Sequence, residues 1–457
     1  MGVSEKIGEI SPSLLNDLTQ KIYEDPFRLV TFLIFMGAIC HTFFASKLAT
    51  KASKIKEQYG QETPSSQCLH WLGEVEAIFG IWLIPLIISF LFMKGWAQTV
   101  TYFSTRQYTE PIFVFAIMTI AATQPILYLA ENIIKRIVCC LGGERPSTWW
   151  LCILMFAPLL GSLITEPAAM TIAAMLLANK VFIHKPNTTF SYATLGLLFV
   201  NVSVGGVLTN FAAPPILMVA SKWNWSSAYV FSHFGIKAII GIVSASLCYF
   251  IVFFNQLQQL NTRAKEVTAS EKGTKKLSIP LPVICIHVLF LAWVVLNAHH
   301  AVLVVWGFLA FLCVVQIFKK YQSTVAIKES LLVGCFLAGL VTHGGLQEWW
   351  IEAVLARLND LTLFLGSVVL TAFNDNASLT YLASLVPEFL TNFKLQSAVV
   401  SGAVVGGGLT VIANAPNPAG QALLSKFFPN GIVKPIPLFL GALFPTLLLM
   451  IVFRSFV

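Results

Sequence analysis

The chain has 457 residues, 56% of them hydrophobic and only 11% charged, less than half the charged share of roughly 25% in an ordinary soluble domain. With a mean hydropathy of +0.77, this composition excludes a soluble globular enzyme and a disordered chain. The net charge of +8 comes from Lys and Arg scattered between apolar runs, not clustered as in a nucleic-acid binder. The expected class is an all-α polytopic membrane protein. The apolar runs are continuous and about twice as long as the alternating strands of a transmembrane barrel. Nine cysteines occur without a CxxC pair, so they read as small packing residues.

Residues 1–25 are polar, with Glu5, Glu9, Asp17, Glu24 and Asp25, and show no cleavable signal. Spanning runs follow at 26–46, 73–93 and 111–131. Segment 149–178 is apolar but broken by Thr165-Glu166-Pro167, and segment 190–222 is broken at Gly205-Gly206 and at Pro214-Pro215. A run at 229–254 closes this half (26–255), and a polar linker covers 256–279. The second half (280–457) repeats the order: runs at 280–298, 301–318 and 329–346, segment 361–387 broken by Asn374-Asp375-Asn376, segment 395–427, and a last run at 436–453. Segment 395–427 is broken at Gly406-Gly407-Gly408 and again at Asn414-Ala415-Pro416-Asn417-Pro418. Two amphipathic pieces, Glu131–Leu141 and Gln347–Asp360, precede the two tip-bearing segments and suit the membrane interface.

The breaks match between halves. Thr165-Glu166-Pro167-Ala168-Ala169-Met170-Thr171 aligns with Asn374-Asp375-Asn376-Ala377-Ser378-Leu379-Thr380, pairing Glu166 with Asp375. Val204-Gly205-Gly206-Val207-Leu208-Thr209 aligns with Val405-Gly406-Gly407-Gly408-Leu409-Thr410. Matched interruptions in two halves point to a secondary-transporter binding site. Segments 149–178 and 361–387 have about 15 residues before the break and about 11 after, too few for two spans of about 20. They therefore read as re-entrant hairpins. Each half then has five transmembrane spans, one of them broken, plus one hairpin, and the two repeats have inverted topology. Under that topology 19 of the 29 Lys and Arg fall on one side. The positive-inside rule makes that side cytoplasmic and puts both termini outside.

At these units the sequence resembles the ion-transporter superfamily, which includes sodium/proton antiporters, divalent-anion/sodium symporters and arsenite efflux pumps. It is most similar to a family of bacterial sodium/proton antiporters. The resemblance implies a bacterial inner-membrane protein with paired hairpin tips meeting broken helices near mid-membrane. It also implies elevator-type motion and a homodimer. The symporters' Ser-Asn-Thr-type tips are replaced here by Thr-Glu-Pro and Asn-Asp-Asn-Ala.

Ionisable groups inside a membrane mark ion or proton pathways by default, which singles out Glu166 and Asp375. Sodium wants oxygen ligands, as other hard cations do. Asp375, Asn374 and Asn376 form the expected sodium site, with Ser378, Thr380, Thr165, Thr209, Asn210, Thr410, Asn414 and Asn417 offering further oxygens. Glu76 and His343 are candidates for a proton path or pH sensing. A buried carboxylate can take sodium or a proton, so the expected function is sodium/proton exchange without a cofactor. Two such carboxylates would allow more than one proton per sodium. The alternatives are a sodium-coupled symporter of an organic or inorganic anion and a metalloid or anion efflux permease. No HExxH, GxSxG or Gly-rich phosphate loop occurs, which speaks against an enzyme.

Overall fold

In lipid the backbone can satisfy its polar groups only as helix or closed barrel. The computed structural model describes residues 12–59, 63–74, 77–268, 278–322, 325–355 and 357–455, and these residues form helices and connecting turns with no strand among them. Among the described residues seven helices are long and apolar enough to cross a membrane: Ile78–Ser104, Pro146–Ile164, Glu166–His184, Thr188–Leu208, Ser227–Val252, Ile327–Gly344 and Pro435–Ser455. The number is eight if the pair Thr109–Ala121 and Gln124–Cys140 counts as one bent span. Shorter apolar helices occupy Phe27–Thr42, Leu281–Leu296, Ala301–Ile317, Asp360–Thr371 and Phe393–Gly406. The protein is thus a polytopic helical membrane protein.

Three features of the described helices go beyond the sequence reading. The run at 111–131 is not one straight helix, because the chain bends by 67° between Ala121 and Gln124. Pro125 supplies the cause, since it lacks a backbone donor and disfavours helix in the residue before it. The polar linker begins as helix, Phe254–Thr268, while residues 269–277 lie outside the described residues. The arms of segment 149–178 are longer than its apolar core suggests. Pro146–Ile164 and Glu166–His184 have 19 residues each, so their lengths do not argue against two crossings. Arg145 and Pro146 start the first arm, and a short 3-10 turn, Phe182–His184, extends the second.

The chain forms two compact units, each drawn from both halves of the sequence. One comprises Met1–Gln107, Cys335–Leu363 and Tyr381–Gln396. Its core includes Phe27, Ile34, Leu86 and Phe90, and Tyr102 donates to the carbonyl of Thr342 at 2.6 Å. The other comprises Tyr108–Gly334, Phe364–Thr380 and Ser397–Val457. At its centre runs the helix Thr188–Gly205, whose residues are almost all buried from Phe190 onward. This unit holds both interrupted segments of the first half and, from the second half, Phe364–Thr380 with its break and the broken span from Ser397 onward, and so Glu166 and Asp375.

Candidate functional site

The first tip forms because the chain reverses at a single residue. Thr165 has φ 79° and ψ 152°, a region that L residues other than glycine adopt only under strain of about 1–3 kcal/mol. The helix Glu166–Lys180 starts at the next residue, so Glu166 occupies its first turn, where the helix dipole favours a negative charge. The first arm packs against this helix, with Gly161 facing the Cβ of Ala169.

Pro158 in the first arm fixes where the broken span crosses. It has no N–H to give to the carbonyl of Leu154, and Asn201 Nδ2 donates to that carbonyl instead, at 2.9 Å. One turn further on, Gly205 lies so close to the Pro158 backbone that a Cβ would collide with its carbonyl. Ser162 then secures the break in the broken span. Its hydroxyl donates to the Gly205 carbonyl at 2.6 Å and accepts from Leu208 N–H at 2.9 Å. Thr209 donates to the Ser162 carbonyl at 2.8 Å. Sequence reading missed Ser162 and Asn201, whose only signal was a lone polar residue in an apolar run.

The second half repeats these contacts. Gly402 packs on the Phe364 carbonyl as Asn201 bonds to Leu154, and Gly406 packs on the Val368 carbonyl as Gly205 does on Pro158. Thr410 donates to the Ala372 carbonyl at 2.7 Å, as Thr209 does to Ser162. Gly407 faces Asn376 as Gly206 faces Glu166. Throughout, broken-span numbers rise by 201 and hairpin numbers by 210. The contacts therefore pair Glu166 with Asn376 and Thr165 with Asp375, one residue away from the pairing given by sequence match.

Glu166 is fully buried. Its Oε2 accepts from Asn414 Nδ2 at 2.7 Å, and its Oε1 has no hydrogen bond among the described residues. No basic side chain there pairs with it, and Asp375 is the acidic group whose charge acts on it. A cluster of polar groups continues from this contact. Asn417 N–H donates to the Asn414 carbonyl at 3.1 Å, and Asn417 Nδ2 bridges the carbonyls of Gly407 and Thr410, each at 2.8 Å. Gly407 in turn abuts Asn376. The Oδ1 atoms of Asn376, Asn414 and Asn417 and the Ser378 hydroxyl are buried without a hydrogen-bond partner among the described residues. Asp375 is also buried, and its Oδ1 accepts from Ala377 N–H at 2.9 Å.

Of the remaining candidates, Thr380 bonds back to carbonyls of its own helix, those of Asn376 and Ala377. Asn210 is held by the Trp225 carbonyl and Ser227, outside this cluster. Asn374 sits half-buried in the turn before Asp375. The Thr165 hydroxyl is buried without a partner among the described residues. His343 belongs to the other unit, buried between the rings of Phe35 and Phe79. Glu76 lies outside the described residues.

Buried carboxylates and amides on broken helices within a polytopic helical protein define an ion transporter by class. A family model described as "Putative Na+/H+ antiporter" matches residues 26–456. The chain belongs to this antiporter family. A search of curated proteins finds no match.

Proposed function

We propose that the protein exchanges sodium for protons across the membrane, the two ions competing for the hairpin-tip carboxylates Glu166 and Asp375. The observation that carries this reading is Glu166: fully buried, hydrogen-bonded through one oxygen by a neutral amide, and without a basic partner among the described residues. An unpaired ionised carboxylate in such a place costs several kcal/mol. A proton removes that cost, and so does a cation. The unpartnered oxygens of Asn376, Ser378, Asn414 and Asn417 supply the kind of ligands that replace sodium's hydration shell, with Asp375 adding charge. Thr209 and Thr410 tie the two breaks to the arms beside them, through the carbonyls of Ser162 and Ala372.

The repeated contacts support two repeats of inverted topology whose tips meet the broken spans. The two compact units support an elevator-type motion of the loaded site. On this reading the core moves when the site holds either ion and not when it holds a bare charge, which makes exchange obligatory. The assay is reconstitution of the purified protein into vesicles with a pH-sensitive dye inside. A sodium gradient should drive proton movement without any organic substrate. Sodium-dependent uptake of an anion, with no proton movement in its absence, would refute exchange.

A further inference from the structure

The helix Phe27–Tyr59 is longer than a membrane is thick. Its 33 residues extend about 50 Å at about 1.5 Å per residue, and a hydrocarbon core of about 30 Å takes only about 20 of them. The apolar run closes at Ser46, so the last turns stand among the lipid headgroups or beyond them. Two faces of this helix differ. Ala38, Ala45 and Ala52 share one face and are buried. Lys47, Lys51 and Lys54 fall on the roughly opposite face at about 3.6 residues per turn, and all three are exposed. With Thr50 they line an open cleft of about 300 Å³. None of the three lysines has an ion-pair partner among the described residues. Near the other end of the helix the basic groups are paired, Lys21 with Asp17 at 3.4 Å, Arg28 with Glu24 at 3.7 Å and Lys94 with Asp25 at 2.9 Å. Like charges one turn apart destabilise a helix, so the lysine stripe calls for an anion from outside the chain.

The same face indicates which anion. Before the lysines it is apolar and exposed, with Leu33, Cys40 and Phe44, and the Lys47 ammonium lies 5.5 Å from the centre of the Phe44 ring. An apolar stripe that runs into a basic one matches the profile of a phospholipid, acyl chain and then phosphate. A soluble phosphate would engage the lysines alone. A second copy of this chain fits worse, because a two-fold interface sets a patch against itself and would bring lysines to lysines. We propose that this face is a docking surface for anionic phospholipid, with the headgroup phosphate among Lys47, Lys51 and Lys54 and the acyl chains along Cys40 and Phe44. Lys47 stands where the apolar run ends, and Lys54 lies about 10 Å further along the axis. The headgroup layer and the reach of a lysine side chain together cover that distance. Under the orientation that the positive-inside rule gives, the lipid belongs to the cytoplasmic leaflet. The proposal does not depend on which ions the protein exchanges.

The test is binding of phosphatidylglycerol with a fluorescent acyl chain to the purified full-length protein in zwitterionic detergent. Each lysine near an anionic headgroup contributes roughly fivefold in affinity. The wild type should therefore prefer this lipid to the matching phosphatidylcholine by about tenfold or more. Raising salt from about 50 to about 500 mM should cut that preference about threefold. Lys47→Gln, Lys51→Gln and Lys54→Gln together should lower it to less than about threefold, whereas Lys47→Arg, Lys51→Arg and Lys54→Arg together should keep it. Thr50→Glu sets a carboxylate inside the cleft and should weaken phosphatidylglycerol binding as well; unchanged binding there overturns the proposal even if the glutamine protein fails to fold. Lys265→Gln, Lys319→Gln and Lys320→Gln remove the same charge from exposed positions elsewhere and should leave the preference intact. An equal loss in that protein would reduce the effect to net charge and overturn the docking surface. A wild type without preference overturns it, and so does inorganic phosphate that displaces the lipid. A glutamine protein that keeps the preference but loses a dimer formed by the wild type would give the face to a second copy instead.

Discussion

Replacing Gly206 with alanine tests the Glu166 site without touching a polar group. The backbone there has φ −76° and ψ −9°, ordinary helical values that alanine adopts freely. Every consequence of the change is therefore steric. The new methyl would stand 2.5 Å from Glu166 Oε1, 2.7 Å from its Cγ and 3.0 Å from the Ala213 Cβ. Non-bonded atoms settle near 3.5 Å, so the carboxylate must retreat by roughly 1 Å. That displacement breaks the 2.7 Å contact with Asn414. A hydrogen bond to a charged group contributes about 1.5–3 kcal/mol, which corresponds to a rise in half-saturating sodium of about ten- to a hundredfold. Overpacking adds a folding cost of about 1–3 kcal/mol. Gly205→Ala is the control: its methyl would strike the Pro158 backbone, which cannot retreat, so folded yield should collapse. The assay is proton flux into reconstituted vesicles across a sodium titration. A Gly206→Ala protein that reconstitutes normally with an unchanged half-saturating sodium concentration would refute the placement of Glu166 in the site.

Two further outcomes are expected. Thr165→Gly relieves the positive φ and should leave stability in detergent unchanged or raise it by about 1 kcal/mol, the strain relieved offsetting the entropy of glycine; a lowered unfolding temperature would show that the Thr165 side chain supports the turn. Cysteines introduced at Thr188 and Lys394 should be labelled from the cytoplasmic and outer sides respectively, and labelling of both from one side would reject inverted repeats.

The helices were legible in the sequence wherever an apolar run ended in polar residues, and the breaks were legible because Pro, Gly and acids stand out within such runs. The bend at Ala122 was not, since the run stays apolar across it and Pro125 was its only sign. Asn201 and Ser162 were hidden for a related reason. A single amide or hydroxyl does little to an apolar run, and its importance arises only when another helix presents it a free carbonyl, that of Leu154 freed by Pro158 for Asn201 and that of Gly205 at the break for Ser162. The pairing of the two tips went one residue astray because sequence matching aligns acid with acid. The fold aligns positions by their place relative to the break, and there an acid in one half stands opposite an amide in the other. Thr380 and Asn210 were named for their oxygens; the Thr380 hydroxyl donates to a carbonyl of its own helix and the Asn210 amide to the Trp225 carbonyl, contacts that composition alone does not show.

The one-residue offset also bears on how the protein responds to voltage. Two exchanging carboxylates would carry more than one proton against each sodium, and membrane potential would then drive the cycle. Each net charge moved through 100 mV is worth about 2.3 kcal/mol, enough to change a driven flux many-fold. Were one carboxylate alone to exchange, one sodium would replace one proton, and the loaded site would bear the same charge on both strokes. Asp375 accepts from the Ala377 N–H, and in that case it would contribute no difference between the two states. Flux would then change less than twofold when a potassium gradient with an ionophore clamps the vesicles at −100 mV instead of zero. The sodium and pH gradients are held constant in that comparison. A flux that rises several-fold with the potential would assign a second proton to Asp375 and make the tips equal partners.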